Sequence, residues 1–143
     1  MAIIRLIKTN HILAITIGIV YLWFGTLKFF PLQSPAESLA QNTIDIITLH
    51  LIPKSVSIIL LALLETLIGI MLILNIKRRL VLKVTFAHII LTFIPLFAFS
   101  EMSFSVAPYS FTLLGQYIFK NIIIIAALIT LYKLPDSTAL RRT

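Results

Sequence analysis

The sequence predicts an all-α integral membrane protein: a four-helix bundle, both termini cytoplasmic, with a short amphipathic helix in the first outer loop. Three observations carry that expectation. Of 143 residues, 59% are hydrophobic and only 12% charged, with a mean hydropathy of +1.06, whereas soluble domains carry about 25% charge. Four apolar stretches, residues 11–30, 55–74, 80–99 and 113–132, each match the roughly 20 residues that a bilayer core requires. The basic residues gather at alternate connections between them. The length fits a single transmembrane domain, residues 1–143.

The first span follows Arg5 and Lys8 and ends near Lys28. Its apolar run is too long for a signal peptide, and no small-x-small cleavage site precedes Pro31, so an uncleaved helix is expected. Residues 31–54 exceed the 2–8 residues usual between packed helices. Within them Ser34-Pro35-Ala36-Glu37 has the form of a capping box with proline at the first helical position. A short helix is expected to follow through Ile47, with Leu39, Thr43, Ile46 and Ile47 on one side. It would lie on the outer membrane face or over the mouth of the bundle.

The second and third spans are joined by residues 75–79, a connection tight enough to make them antiparallel neighbours. Pro95 is expected to kink the third. The loop that follows is aromatic, and Phe97, Phe99, Phe104, Tyr109 and Phe111 resemble an interfacial belt. Trp23 falls on the far side of the first helix from its polar stripe, as a lipid-facing residue would.

Charge sets the orientation. Nine of the twelve basic residues (Arg5, Lys8, Lys77, Arg78, Arg79, Lys83, Lys133, Arg141 and Arg142) fall on one side. The other side has Lys54 with Glu37, Asp45 and Glu101. The positive-inside rule then places both termini in the cytoplasm of a multi-pass protein of the inner (plasma) membrane. The net charge of +7 is therefore a topology signal, with some attraction to anionic lipid. Scattered over three short segments without a recognition motif, it argues for a lipid bilayer and against nucleic acid as the partner.

Each span carries a polar or small stripe when residues are turned by about 100°. Gly18, Tyr21, Gly25 and Lys28 share one face of the first helix, and Ser55, Ala62, Glu65 and Gly69 one face of the second. Thr85, His88, Thr92 and Pro95 do so in the third. In the fourth, Gln116 and Lys120 align with Ala127, and Tyr117 flanks them. Gly18, Gly25 and Gly69 permit close helix approach. The ionisable residues imply a polar site at Lys28, Glu65, His88, Gln116 and Lys120. Counted by helical rise, Lys120 lies nearer than Lys28 to the depth of Glu65. The expected arrangement is a Glu65–Lys120 pair, His88 hydrogen-bonded nearby, and Lys28 reaching down from the mouth.

Residue supply removes other chemistries. There is no cysteine, hence no disulfide, thiolate metal site, iron–sulfur cluster or dithiol redox pair. His11, His50 and His88 stand at three different depths, which argues against a bis-histidine haem or a metal centre. No phosphate-cradling glycine loop or Ser/His/Asp arrangement is legible.

Four segments, in order and spacing, resemble the DoxX-like family of small four-helix bacterial membrane proteins. They are Trp23-Phe24-Gly25-Thr26-Leu27-Lys28-Phe29; Glu65-Thr66-Leu67-Ile68-Gly69; His88 with Thr92-Phe93-Ile94-Pro95-Leu96; and Phe111-Thr112-Leu113-Leu114-Gly115-Gln116-Tyr117-Ile118-Phe119-Lys120-Asn121. The resemblance covers residues 11–132. Some relatives are described as membrane subunits of a thiosulfate:quinone oxidoreductase, and others are linked to oxidative or sulfur stress. The resemblance implies emphasis on Gly25, Lys28, Glu65, Gly69, His88, Pro95, Gln116, Lys120 and Asn121, which coincide with the polar stripe. Lacking cysteine, this chain would leave thiol-dependent sulfur chemistry to another protein.

Two roles for the polar cluster stay open at this point: a lock that fixes helix register, or a site for a ligand or proton. The first expectation is a redox-linked accessory subunit that binds a quinone-like ligand or relays a proton, with no covalently bound cofactor. Its partners would be oxidoreductase or respiratory subunits, or a second copy in a homo-oligomer. A non-catalytic assembly subunit is the alternative. A small proton-coupled transporter fits less well, because four helices leave little room for alternating access.

Overall fold

The computed structural model describes residues 2–30, 33–34 and 36–133, with side chains from His11 onward. It is helical apart from one small hairpin: α1 (Ala2–Leu27), α2 (Glu37–Ile47), α3 (Lys54–Ile73), α4 (Arg78–Leu91), α5 (Ile94–Ala98), α6 (Ser100–Ser103), β1 (Phe104–Val106), β2 (Ser110–Phe111), α7 (Leu113–Phe119) and α8 (Asn121–Lys133). Among the described residues, three helical segments are long and apolar enough to cross a membrane: Lys54–Ile73, Arg78–Ala98 and Leu113–Lys133. The helix that carries the expected first span ends at Leu27 rather than residue 30.

The long helices pack in a cycle, α1 along α3, α3 against α4, α4 against α8, and α8 back on α1. Its two ends differ. At the end marked by the α3–α4 connection, hereafter the turn end, Ala14, Ile17, Ile68, Leu72, Val81, Leu82, Leu128 and Leu131 form a continuous buried core. Gly18 and Gly69 bring α1 and α3 into backbone contact: a Cβ on Gly69 would lie 2.6 Å from the Leu22 amide nitrogen. Only glycine allows that approach. The turn closes α3 with Asn75 in the left-handed region (φ 55°), which asparagine tolerates. Arg78 is buried there and donates to the Leu131 carbonyl at 3.4 Å, tying α4 to α8.

The opposite end, the loop end, carries α2 and the hairpin. α2 starts at Glu37 with Ala36 at its N-cap and no side-chain cap, so the expected Ser34 capping box does not form. Ser34 instead accepts from the Glu37 amide through its backbone carbonyl, and Pro35 lies outside the described residues. Leu39 and Thr43 are buried as expected, whereas Ile46 and Ile47 stay half-exposed at 43% and 44%. Asn42 accepts from Lys54 Nζ at 2.7 Å, which holds α2 to the start of α3. His50 and Asp45 pair at 2.9 Å where α2 ends.

The third span is interrupted close to Pro95, with Thr92 and Phe93 keeping near-helical dihedrals. Helix α4 ends at Leu91 and α5 resumes at Ile94, with Pro95 in its first turn. Proline has no N–H to give the Leu91 carbonyl, and its ring crowds that turn. The last span breaks too, at Lys120 between α7 and α8.

The aromatic loop is a correction in part. Phe97 and Tyr109 are exposed as a belt would be, at 85% and 78%. Phe104 and Phe111 instead pair across an antiparallel hairpin and stack, and Phe111 stacks in turn on Phe119. The basic groups expected at the chain termini (Arg5, Lys8, Arg141, Arg142) fall outside the described side chains.

Candidate functional site

In the loop-end half the helices separate around a cavity of about 660 Å³. Its walls come from α1 (Val20, Tyr21, Phe24), α3 (Leu60, Leu61, Leu64, Glu65), α4 (His88, Ile89, Leu91) and α8 (Asn121, Ile123, Ile124). Helix α2 covers it with Leu39, Ala40, Thr43, Ile44 and Ile47. The size falls within the roughly 300–1,000 Å³ of small-molecule sites, and so does the pattern of apolar walls with few polar groups.

Those polar groups form a chain. Glu65 Oε2 accepts from Lys28 Nζ at 2.6 Å, with both side chains about nine-tenths buried at 10% and 8% exposure. Glu65 Oε1 lies 3.5 Å from His88 Nε2. On the other side of the ring, His88 Nδ1 is 2.9 Å from the Tyr21 hydroxyl. With the ring proton on Nε2 every link has one donor and one acceptor: the phenol donates to Nδ1, and Nε2–H faces the carboxylate. The ammonium also donates to the Phe24 carbonyl at 3.3 Å. Four groups from three helices thus share one connected, buried polar line.

The expected Glu65–Lys120 pair is not formed. Lys28 holds the carboxylate, and Lys120 Nζ instead rests 3.9 Å above the Tyr117 ring and 6.0 Å from Phe24. The reason is side-chain direction. Helical side chains slant toward the N-terminus of their own helix. Helix α1 begins at the turn end, so Lys28 slants inward; α3 begins at the loop end, so Glu65 slants outward to meet it. α7 also begins at the loop end, which aims Lys120 away from Glu65. Counting rungs between Cα atoms ignores this slant.

Of the sequence-predicted site residues, Lys28, Glu65, His88 and Lys120 reach the cavity. Gln116 does not; it is exposed on the outside of α7, its amide directed at the Phe111 carbonyl at a long 3.4 Å. Gly25 sits behind the site, where a Cβ would lie 2.7 Å from the Thr66 amide nitrogen. Gly18 and Gly69 serve the turn-end packing described above. Trp23 faces outward at 64% exposure. Asn121 crosses from α8 to donate to Thr92 Oγ1 at 3.1 Å, beside the α4–α5 break.

Sequence reasoning left Tyr21 without a partner, although it is one heptad from Lys28 and so on the same face. It placed Tyr117 only at the flank of the stripe and gave Phe24 no role there; the two meet edge to face at 5.6 Å under Lys120. The walls supplied by α2 could have been found from its amphipathic pattern. Among the described residues no three histidine or carboxylate groups come together as a metal site. No protein-family model matches the chain, and neither a curated protein nor a solved structure is significantly similar to it.

Proposed function

We propose that this is a DoxX-like four-helix protein of the inner membrane, with both termini cytoplasmic, whose cavity binds a quinone-like or other small amphipathic ligand. It would act as a redox-linked accessory subunit beside an oxidoreductase. The observation that carries the reading is the cavity itself: apolar walls converge on one buried line, Tyr21–His88–Glu65–Lys28. The walls suit a hydrocarbon portion. The polar line suits a headgroup that exchanges hydrogen bonds, and its alternating donors and acceptors suit the passage of a proton. His11–Leu27 supplies the fourth span, since α1 as a whole has 26 residues.

Gentle-detergent purification followed by mass spectrometry of co-eluting proteins and extracted small molecules tests this. A bound amphiphile is expected, and it should be lost from a variant carrying Lys28→Met and Glu65→Gln. A folded protein carrying only bulk lipid would overturn the ligand reading. The absence of cysteine makes the topology easy to test with single introduced thiols. Ser105→Cys should react with an impermeant maleimide from outside intact cells, and Asn75→Cys only after lysis.

A further inference from the structure

The charges around the cavity do not balance. Lys28 and Glu65 neutralise each other at 2.6 Å, and His88 is occupied by the Tyr21 hydroxyl and the carboxylate. Lys120 also lines the cavity, and among the described residues no carboxylate pairs with it. The residue is exposed at the rim, and among the described residues its ammonium lies against the ring faces of Tyr117 and Phe24. Such contacts orient a cation but leave its full charge uncompensated. An apolar cavity with one surplus positive charge at its rim is complementary to an anion joined to a hydrocarbon chain.

We infer that the occupant of the cavity is an amphiphile with an anionic head, such as a long-chain carboxylate, whose head binds Lys120 and whose chain lies along the apolar walls. This rests on the reading of the cavity as a ligand site and narrows it to a charged class. Asn121, the next residue, Thr92, its hydrogen-bond partner, and Tyr117 also bring polar groups to the cavity. Leu60, Leu64 and Ile123 are among the apolar walls along which the chain would lie.

The test uses the full chain in nanodiscs of neutral lipid. The probe is a photoreactive hexadecanoate, and the control is the photoreactive primary alcohol of the same chain. Crosslinked peptides are mapped by mass spectrometry. The carboxylate should label cavity residues at least about tenfold more efficiently than the alcohol, the ratio one charge-assisted contact gives. That preference should vanish in Lys120→Gln and survive in Lys120→Arg. Equal labelling by acid and alcohol would overturn the anionic class while leaving the cavity reading intact. No cavity labelling by either would overturn both. Competition with millimolar inorganic phosphate separates the sources: if phosphate displaces the probe, a free anion rather than an amphiphile is the occupant, and the inference fails.

Discussion

The two ends of the molecule are built from similar helices but for opposite ends. At the turn end, small residues remove the space between α1 and α3, and the core there is aliphatic and closed. At the loop end the same helices carry Tyr21, Lys28, Glu65 and His88, and two of the spans break, at Thr92–Phe93 and at Lys120. The first half supplies stability through packing; the second holds open a cavity and keeps charged groups in it. A buried ion pair contributes little net stability compared with an apolar replacement of the same shape. The Lys28–Glu65 pair is therefore not explained by stability alone, whereas the aliphatic turn-end packing is.

The sharpest way to break the comparison is to remove one partner of the pair. Lys28→Met leaves the Glu65 carboxylate buried without a counter-ion, and such losses cost about 3–5 kcal/mol. Thermal unfolding in detergent should show this variant as the least stable of those considered.

Next comes the turn end. In Gly69→Ala the new Cβ would meet the Leu22 amide nitrogen at 2.6 Å and the Gly18 carbonyl at 2.8 Å. These are backbone atoms, so a helix must move. Overpacking costs about 1–3 kcal/mol, which outweighs the roughly 1 kcal/mol that alanine gains over glycine in helix propensity. The prediction is lower stability with an unaltered ligand preference, measured by thermal unfolding and by probe labelling of the folded fraction.

Much of this was legible beforehand, for physical reasons. Apolar length marks helices, so the segments 54–73, 78–98 and 113–133 match their expected positions within a few residues. Helical periodicity placed Lys28, Glu65 and His88 on inward faces. It did not choose between two lysines for one carboxylate, because that choice depends on side-chain slant rather than on Cα depth. Gln116 shared the angle of Lys120 but, one turn nearer the helix start, it is exposed and does not line the cavity. The hairpin was hidden by its shortness: strands of three and two residues leave no alternation to read.

A paired substitution sharpens the contrast further. Lys28→Met with Glu65→Gln removes both charges while keeping an acceptor for His88 Nε2–H. Its stability should return to within about 1 kcal/mol of the parent, as uncharged replacement of a buried pair commonly allows. Ligand retention should not return. If both return, the polar line is a register lock and the two halves have the same purpose.

The smallest effects distinguish the cavity wall from its outer surface. Thr92→Val removes the acceptor of the 3.1 Å bond from Asn121 while preserving shape. It also removes the 2.6 Å bond that Thr92 Oγ1 donates to the Ile89 carbonyl, and the cost is about 1–2 kcal/mol for the two hydrogen bonds. Because Thr92 and Asn121 both line the cavity, probe labelling should weaken with it. Gln116→Leu is the matched control, one turn before Lys120 on the exposed face of α7. Its single long contact, 3.4 Å to the Phe111 carbonyl, contributes little, so stability should change by less than about 0.5 kcal/mol. Labelling should not change at all. A ligand defect in Gln116→Leu as large as that in Thr92→Val would mean that α7 turns its other face to the site, and the slant that assigns Glu65 to Lys28 would then have to be reconsidered.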